Sequence, residues 1–164
     1  MFDMLVRLYD LPDHSVRVGR LRDTGVTIRR ALPPETPVIR RFVERNFSSA
    51  WASECDRAIQ NWPVSCYLAL EGESLLGFAC YDATCRGFFG PTAVLERARG
   101  RGIGKALLWC ALRGMSEHGY AYAVIGGVGP DKFYADAVGA VPIAGSDPGI
   151  FRGALLRDPE EDAK

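Results

Sequence analysis

The clearest periodicity in the chain runs over residues 103–117. There Ile103, Ala106, Leu107, Cys110, Ala111 and Gly114 recur at helical spacing and make one continuous apolar stripe. Leu108, Leu112 and Met115 widen it, so the pattern predicts a helix covered on more than one side. Two earlier segments share the period. After Thr36-Pro37, an N-cap and a first-turn proline, Val38, Ile39, Phe42 and Val43 oppose Arg40, Arg41, Glu44 and Arg45. A second helix begins at Ser48 or Ser49, with Trp51, Cys55, Ala58, Ile59 and Trp62 as its apolar side and Pro63 as its stop. A shorter helix, "PDKFYADAV", ends at Gly139.

The remaining apolar runs have the length of strands. An irregular strand over residues 4–9 leads into a turn-rich stretch with Pro12, Asp13, Gly19 and Gly25, and "VTIRRAL" is a short strand ended by Pro33-Pro34. "SCYLAL", the tight turn "EGES", "LLGFACYD" and "GFFGPTAV" form a meander, "YAYAVIGG" is a buried strand, and "AVPIAG" and "GIFRGALL" are two closing strands. "GFFGPTAV" stands apart because Gly90-Pro91 interrupts it. Proline cannot donate to a ladder, so the segment is either an edge strand or one that leaves its neighbour and opens a slot. Helices followed by antiparallel strands predict a mixed α/β (α+β) fold. A single domain over residues 1–164 is expected, with 1–25 an irregular N-terminal extension and 157–164 a loose acidic tail.

Composition narrows the function classes. Twenty basic and twenty acidic residues cancel, which argues against a dedicated nucleic-acid binder. No run reaches the roughly 18 apolar residues of a membrane span, and "MFDMLVRLYD" does not have the form of a signal peptide. Cys55, Cys66, Cys80, Cys85 and Cys110 lack C-x-x-C spacing and read as reduced packing residues of a cytoplasmic protein. His14 and His118, the only histidines, read as surface residues, so no metal site is expected.

Chemistry concentrates at one point, "RARGRGIGKALLWCAL". The first N–H groups of a helix have no intrahelical partner and carry about half a positive charge. Gly100, Gly102 and Gly104 let an anion approach them, and Arg99, Arg101 and Lys105 add cationic charge, so the segment suits a phosphate or pyrophosphate. It is not a P-loop, because three residues separate Gly100 from Gly104 and Ala106 follows Lys105. Nor is it a dinucleotide fingerprint, because the glycines alternate.

Arg99-Gly100-Arg101-Gly102-Ile103-Gly104 is similar to the R/Q-x-x-G-x-G/A signature of the GNAT superfamily of N-acetyltransferases. Val94, five residues earlier, stands where that family ends its central strand, and Phe133-Tyr134 with Gly139-Ala140 resembles its next helix. The resemblance covers roughly the C-terminal half of the chain, from about Leu68 to Leu156. It implies a central, mostly antiparallel, splayed sheet flanked by helices. It also implies acetyl-CoA, or another acyl-CoA, as co-substrate, with no metal. Arg99, Gly100, Arg101, Gly102, Ile103, Gly104 and Lys105 are then expected at the pyrophosphate, and Ala93 and Val94 along the pantetheine arm. Tyr134 stands at the family's proton-donor position.

Three features depart from the family pattern. "RGFFGPTAV" has no acid where many relatives keep a glutamate, leaving Asp82 and Glu96 as the nearest carboxylates, each with the composition of a surface residue. Glu96 stands where proline is common, and Gly127 where relatives often use asparagine. The expected activity is acetyl transfer to a primary amine of a small molecule or protein, with neither nucleic acid nor membrane as partner and a homodimer compatible with the resemblance. A catalytically idle acyl-CoA-binding sensor or assembly module is the alternative, and another kind of nucleotide-phosphate binder the third reading.

Overall fold

The computed structural model describes residues 1–155; the expected acidic tail at 157–164 lies outside them. The chain forms β1 (Met4–Arg7), α1 (Ser15–Asp23), β2 (Val26–Arg30), α2 (Thr36–Asn46), α3 (Ser49–Ile59), β3 (Cys66–Glu71), β4 (Ser74–Tyr81), β5 (Phe88–Val94), α4 (Ile103–Glu117), β6 (Tyr122–Ile125), α5 (Asp131–Val138) and β7 (Val141–Pro142). Seven strands form one sheet in the order β2-β3-β4-β5-β6-β1-β7. Every neighbouring pair is antiparallel except β5 and β6. The mixed α/β class and the mostly antiparallel sheet flanked by helices are as expected.

Each sheet face has its own core. On one side α4 buries Ile103, Ala106, Leu107, Leu108, Ala111, Leu112 and Met115 against Tyr81, Phe89, Leu76 and Ala69. On the other, α2 and α3 bury Ile39, Val43, Ala52, Cys55 and Ile59 against Leu68, Phe78 and Cys80. Each large side chain taken out of water contributes roughly 1.5–3 kcal/mol, which is why the apolar stripe of α4 could be read so directly. Local signals set the helix ends. Ser48 Oγ accepts the Trp51 N–H at 3.1 Å as the cap of α3, and Gly139 closes α5 at φ +65°.

Four expectations are corrected. Residues 1–25 are not an irregular extension: β1 lies inside the sheet between β6 and β7, and "SVRVGRLRD" is a helix. Asp13 belongs to the helix entry, its Oδ1 accepting the Ser15 N–H at 2.8 Å. Residues 149–155 of "GIFRGALL" form no strand, because β1 occupies the place beside β6; Gly149–Phe151 forms a 3-10 turn instead, and residue 156 lies outside the described residues. "AVPIAG" shrinks to the two residues of β7, paired with β1. Trp62 leaves the apolar side of the second helix, since α3 ends at Ile59 and Trp62 is 95% exposed, while Ala52 is buried in its stead.

β5 is a central strand, not an edge strand, and its register against β4 depends on a glycine. A β-carbon at Gly77 would stand 2.6 Å from the Ala93 carbonyl oxygen and 3.1 Å from the Val94 Cα. Both are main-chain atoms of β5, so neither can rotate aside. Gly77→Ala is expected to cost about 1–3 kcal/mol as an overpacked site. At about 2–4 °C per kcal/mol for a chain of this size, the melting temperature drops by roughly 2–12 °C. Unchanged melting in calorimetry would remove the claim that this contact fixes the spacing of the two strands.

Candidate functional site

The site begins where β5 parts from β6. Only Phe88 and Phe89 pair with β6, against Val124 and Ile125, and β6 ends there while β5 continues to Val94. Gly90 has φ +126°, a conformation for glycine, and Pro91 has no N–H to offer. The register against β4 shifts at the same place: Ala79 faces Thr92 and Tyr81 faces Phe89, so residues 90 and 91 stand opposite Cys80 alone. This bulge turns the last part of β5 away from β6 and opens a fork in the sheet. Of the two sequence readings of Gly90-Pro91, the strand that leaves its neighbour is the one observed.

The main chain at the end of β5 faces the fork. Leu95 N–H donates to Leu76 O at 2.8 Å, and partners alternate along an antiparallel ladder. The N–H and C=O of Val94 therefore point away from β4. The Arg99 Nε, donating to Val94 O at 3.4 Å, approaches from that side. Ala93 has the opposite disposition, its side chain packed with the α2–α3 core and Phe78 as its partner across the ladder. The two adjacent residues thus divide: Val94 lines the groove beside the fork, and Ala93 is not among the residues lining it.

A 3-10 turn at Glu96–Ala98 links β5 to the loop, where Arg99 N–H donates to Glu96 O at 3.1 Å. The next main-chain bond is the first of the helix, Ala106 N–H to Gly102 O at 3.2 Å. Between them the N–H groups of residues 100–105 have no main-chain partner among the described residues. Gly100 and Gly102 adopt φ +77° and +81°, with Arg101 between them. This alternation gathers successive N–H groups into one concavity, a form that binds anions. A β-carbon on Gly104 would lie 3.8 Å from both Phe133 Cζ and Val94 Cγ2, so helix, strand and α5 meet there. The groove in front has a volume of about 530 Å³ and includes Ile103, Lys105 and Phe133 in its wall.

Charge around the loop is cationic but not wholly free. Arg101 Nη2 donates to Glu71 Oε1 at 2.5 Å, which holds the Glu71 carboxyl below the usual carboxylate range and raises Arg101. Arg99 and Lys105 form no ion pair among the described residues. A loop of unpaired N–H donors, two αL glycines and cationic side chains fits a diphosphate. Val94's main chain, a strand edge with no neighbouring strand on the side of the fork, fits an amide-bearing arm.

Tyr134 reaches the base of the fork. Its ring packs edge-on to Phe89 at 6.3 Å and to Phe133 at 5.0 Å, and it is 7% exposed. Burial alone raises its pKa, so the phenol stays protonated well past neutral pH. Phe133 lines the groove, while Tyr134 sits behind it.

The two carboxylates nearest by sequence are elsewhere engaged or turned out. Asp82 accepts from Gly87 N–H at 2.7 Å and Tyr120 Oη at 3.0 Å, and holds φ +52°, so it shapes the turn between β4 and β5. Glu96 is exposed. Gly127 donates its N–H to Asp3 Oδ1 at 2.9 Å. Asp3 is itself buried, so the first residues of the chain tie down the end of β6. His118 is exposed at the end of α4, as expected, with Nδ1 3.4 Å from Tyr81 Oη, while His14 places Nε2 3.1 Å from Ala137 O. The five cysteines are free thiols. No group of three or more potential ligands stands ready for a metal ion, and no helix is long and apolar enough to cross a membrane, among the described residues.

Two site residues escaped the sequence reading, Asp3 and Arg17. Arg17 Nη1 lies 3.2 Å from where a β-carbon of Gly102 would be, so α1 overhangs the loop. No local signal marks either residue, because each acts on a segment far along the chain.

The sequence matches the family model described as the Acetyltransferase (GNAT) family over residues 36–138, from the start of α2 to the end of α5. Among solved structures, the fold is similar to a GCN5-related glucosamine N-acetyltransferase region of a fungal multi-domain GH3 beta-N-acetylglucosaminidase. The TM-score is 0.70 at 16% identity, over 87% of this chain and 19% of that one. A GCN5-related N-acetyltransferase from Sphaerobacter thermophilus gives a TM-score of 0.60 at 19% identity, over 87% of this chain and 48% of that one. At such identities the likeness is one of fold, and this chain spans less than half the length of either protein. No curated protein matches the sequence.

Proposed function

Because the chain belongs to the acetyltransferase (GNAT) family, we propose that it transfers an acetyl group from acetyl-CoA to a primary amine of a small molecule or protein. The observation that carries this reading is the run of unpartnered N–H groups over residues 100–105, set beside the Val94 main chain, which has no neighbouring strand on the side of the fork. Acetyl-CoA supplies the activated acyl group as a thioester. Arg99, Gly100, Arg101, Gly102, Ile103, Gly104 and Lys105 hold its diphosphate, chiefly through main-chain N–H donors. The Val94 N–H orients the arm and stands as a donor for charge that develops on the acyl oxygen. Ala93 contributes by backing the strand from the α2–α3 side. Tyr134, a protonated phenol at the fork, returns a proton to the departing sulfur.

No side chain of β5 supplies a base, and Asp82 is committed to its turn. Attack by an amine already neutral, or proton loss through water, requires no dedicated carboxylate. The same observation favours a second reading, an acyl-CoA-binding module without turnover.

Thiol release from acetyl-CoA, followed against a panel of small amines and lysine peptides, separates the two readings. Turnover on at least one acceptor is expected, with free CoA competing and ATP and NAD not competing. Binding of CoA without thiol release on any acceptor would favour the module. Competition by ATP or NAD as strong as by CoA would discard both in favour of a general nucleotide binder.

A further inference from the structure

A second groove, about 550 Å³ in volume, runs along α1. Asp13, His14, Arg17, Arg20 and Thr24 line it together with Arg101 of the loop. It joins the groove in front of α4, since Arg17 and Arg101 line both. Arg17 and Arg20 are one helical turn apart, on the same side of α1. Neither forms an ion pair among the described residues. The carboxylates nearby are already engaged: Asp13 accepts the Ser15 N–H and Glu71 holds Arg101. Two free guanidinium groups therefore face a groove that opens directly onto the diphosphate loop.

Resting on the reading of the loop as a CoA diphosphate site, we infer that Arg17 and Arg20 of α1 form a second anion subsite. It takes the phosphomonoester on the ribose of CoA. A ribose separates that phosphate from the diphosphate, and the two grooves are likewise adjacent rather than superposed. A phosphomonoester carries close to two negative charges at neutral pH and presents oxygens that match the guanidinium fork. The diphosphate is served by main-chain N–H groups within the family-matched span, which α1 precedes. Discrimination between CoA and its dephospho form thus becomes a property of this chain's own N-terminal helix.

Calorimetric titration of the protein with CoA and with 3′-dephospho-CoA tests this. Charge-assisted hydrogen bonds of this kind predict that CoA binds at least about tenfold more tightly. In Arg17→Ala/Arg20→Ala that ratio should fall close to one. If the double variant does not fold, Arg20→Gln, an exposed change, should reduce the ratio on its own. Equal affinity of the unaltered protein for both ligands overturns the subsite and leaves the diphosphate site standing. A preference that survives in the double variant also overturns it, because the phosphate is then read elsewhere. Binding of neither ligand removes the subsite and the proposed function together.

Discussion

Replacing Arg101 by glutamate and Gly102 by aspartate should lower the affinity for CoA by roughly 10²–10³-fold while leaving the chain folded. The pair of changes puts two carboxylates at the leading edge of α4, where the unpartnered N–H groups and the helix dipole attract an anion. A hydrogen bond to a charged group is worth about 1.5–3 kcal/mol, and like-charge repulsion adds to the penalty of removing it. The effect on stability is small. The Arg101–Glu71 ion pair is exposed, and solvent screening leaves such pairs little weight in stability. Aspartate is among the residues that tolerate the left-handed conformation Gly102 adopts. Titration calorimetry with CoA and a melting curve provide the two readings. Retention of wild-type affinity by a folded double variant would show that the diphosphate does not lie on this loop.

Tyr134→Phe should reduce turnover by about 10²-fold, the lower range for loss of a positioned acid, with little change in CoA affinity. The phenol has the environment for that role. It is buried at the fork, and burial raises its pKa above the ordinary value of about 10, so the acidic form persists across the neutral range. The sign fixes the pH profile: a raised pKa keeps the donor protonated, so no decline in turnover from Tyr134 appears below about pH 10. Removing the hydroxyl leaves the Phe89 and Phe133 contacts in place, and melting should stay close to that of the unaltered protein. Steady-state thiol release at saturating acetyl-CoA measures the loss. Turnover equal to wild type in the phenylalanine variant would pass the proton's delivery to water or another group.

Much of the site was legible because its chemistry is local. Three glycines and the cations among them lie within a few residues of a helix whose apolar stripe is unambiguous, so the unpartnered N–H groups follow from helix geometry alone. The Gly90-Pro91 interruption was legible too, but only as two alternatives. Loss of one ladder donor suits an edge strand or a departing one, and the choice depends on which strand lies alongside. That neighbour is β6, more than thirty residues further on, and it pairs with only two residues of β5.

The sequence by itself determined α2 to α5, the meander and the glycine-rich loop before α4, since each rests on residues close together in the chain. Tertiary structure decided where β1 goes. The strand over residues 4–9 was legible, but not its neighbours: "MLVR" fills the position beside β6, and residues 149–155 form no strand. It also separated Val94 from Ala93 and bound Gly127 to Asp3. Placing Arg17 over Gly102 was likewise a matter of packing. Hydrogen bonds between distant segments and the close approach of two packed elements leave no imprint on neighbouring residues, so these features emerge only when the sheet is assembled.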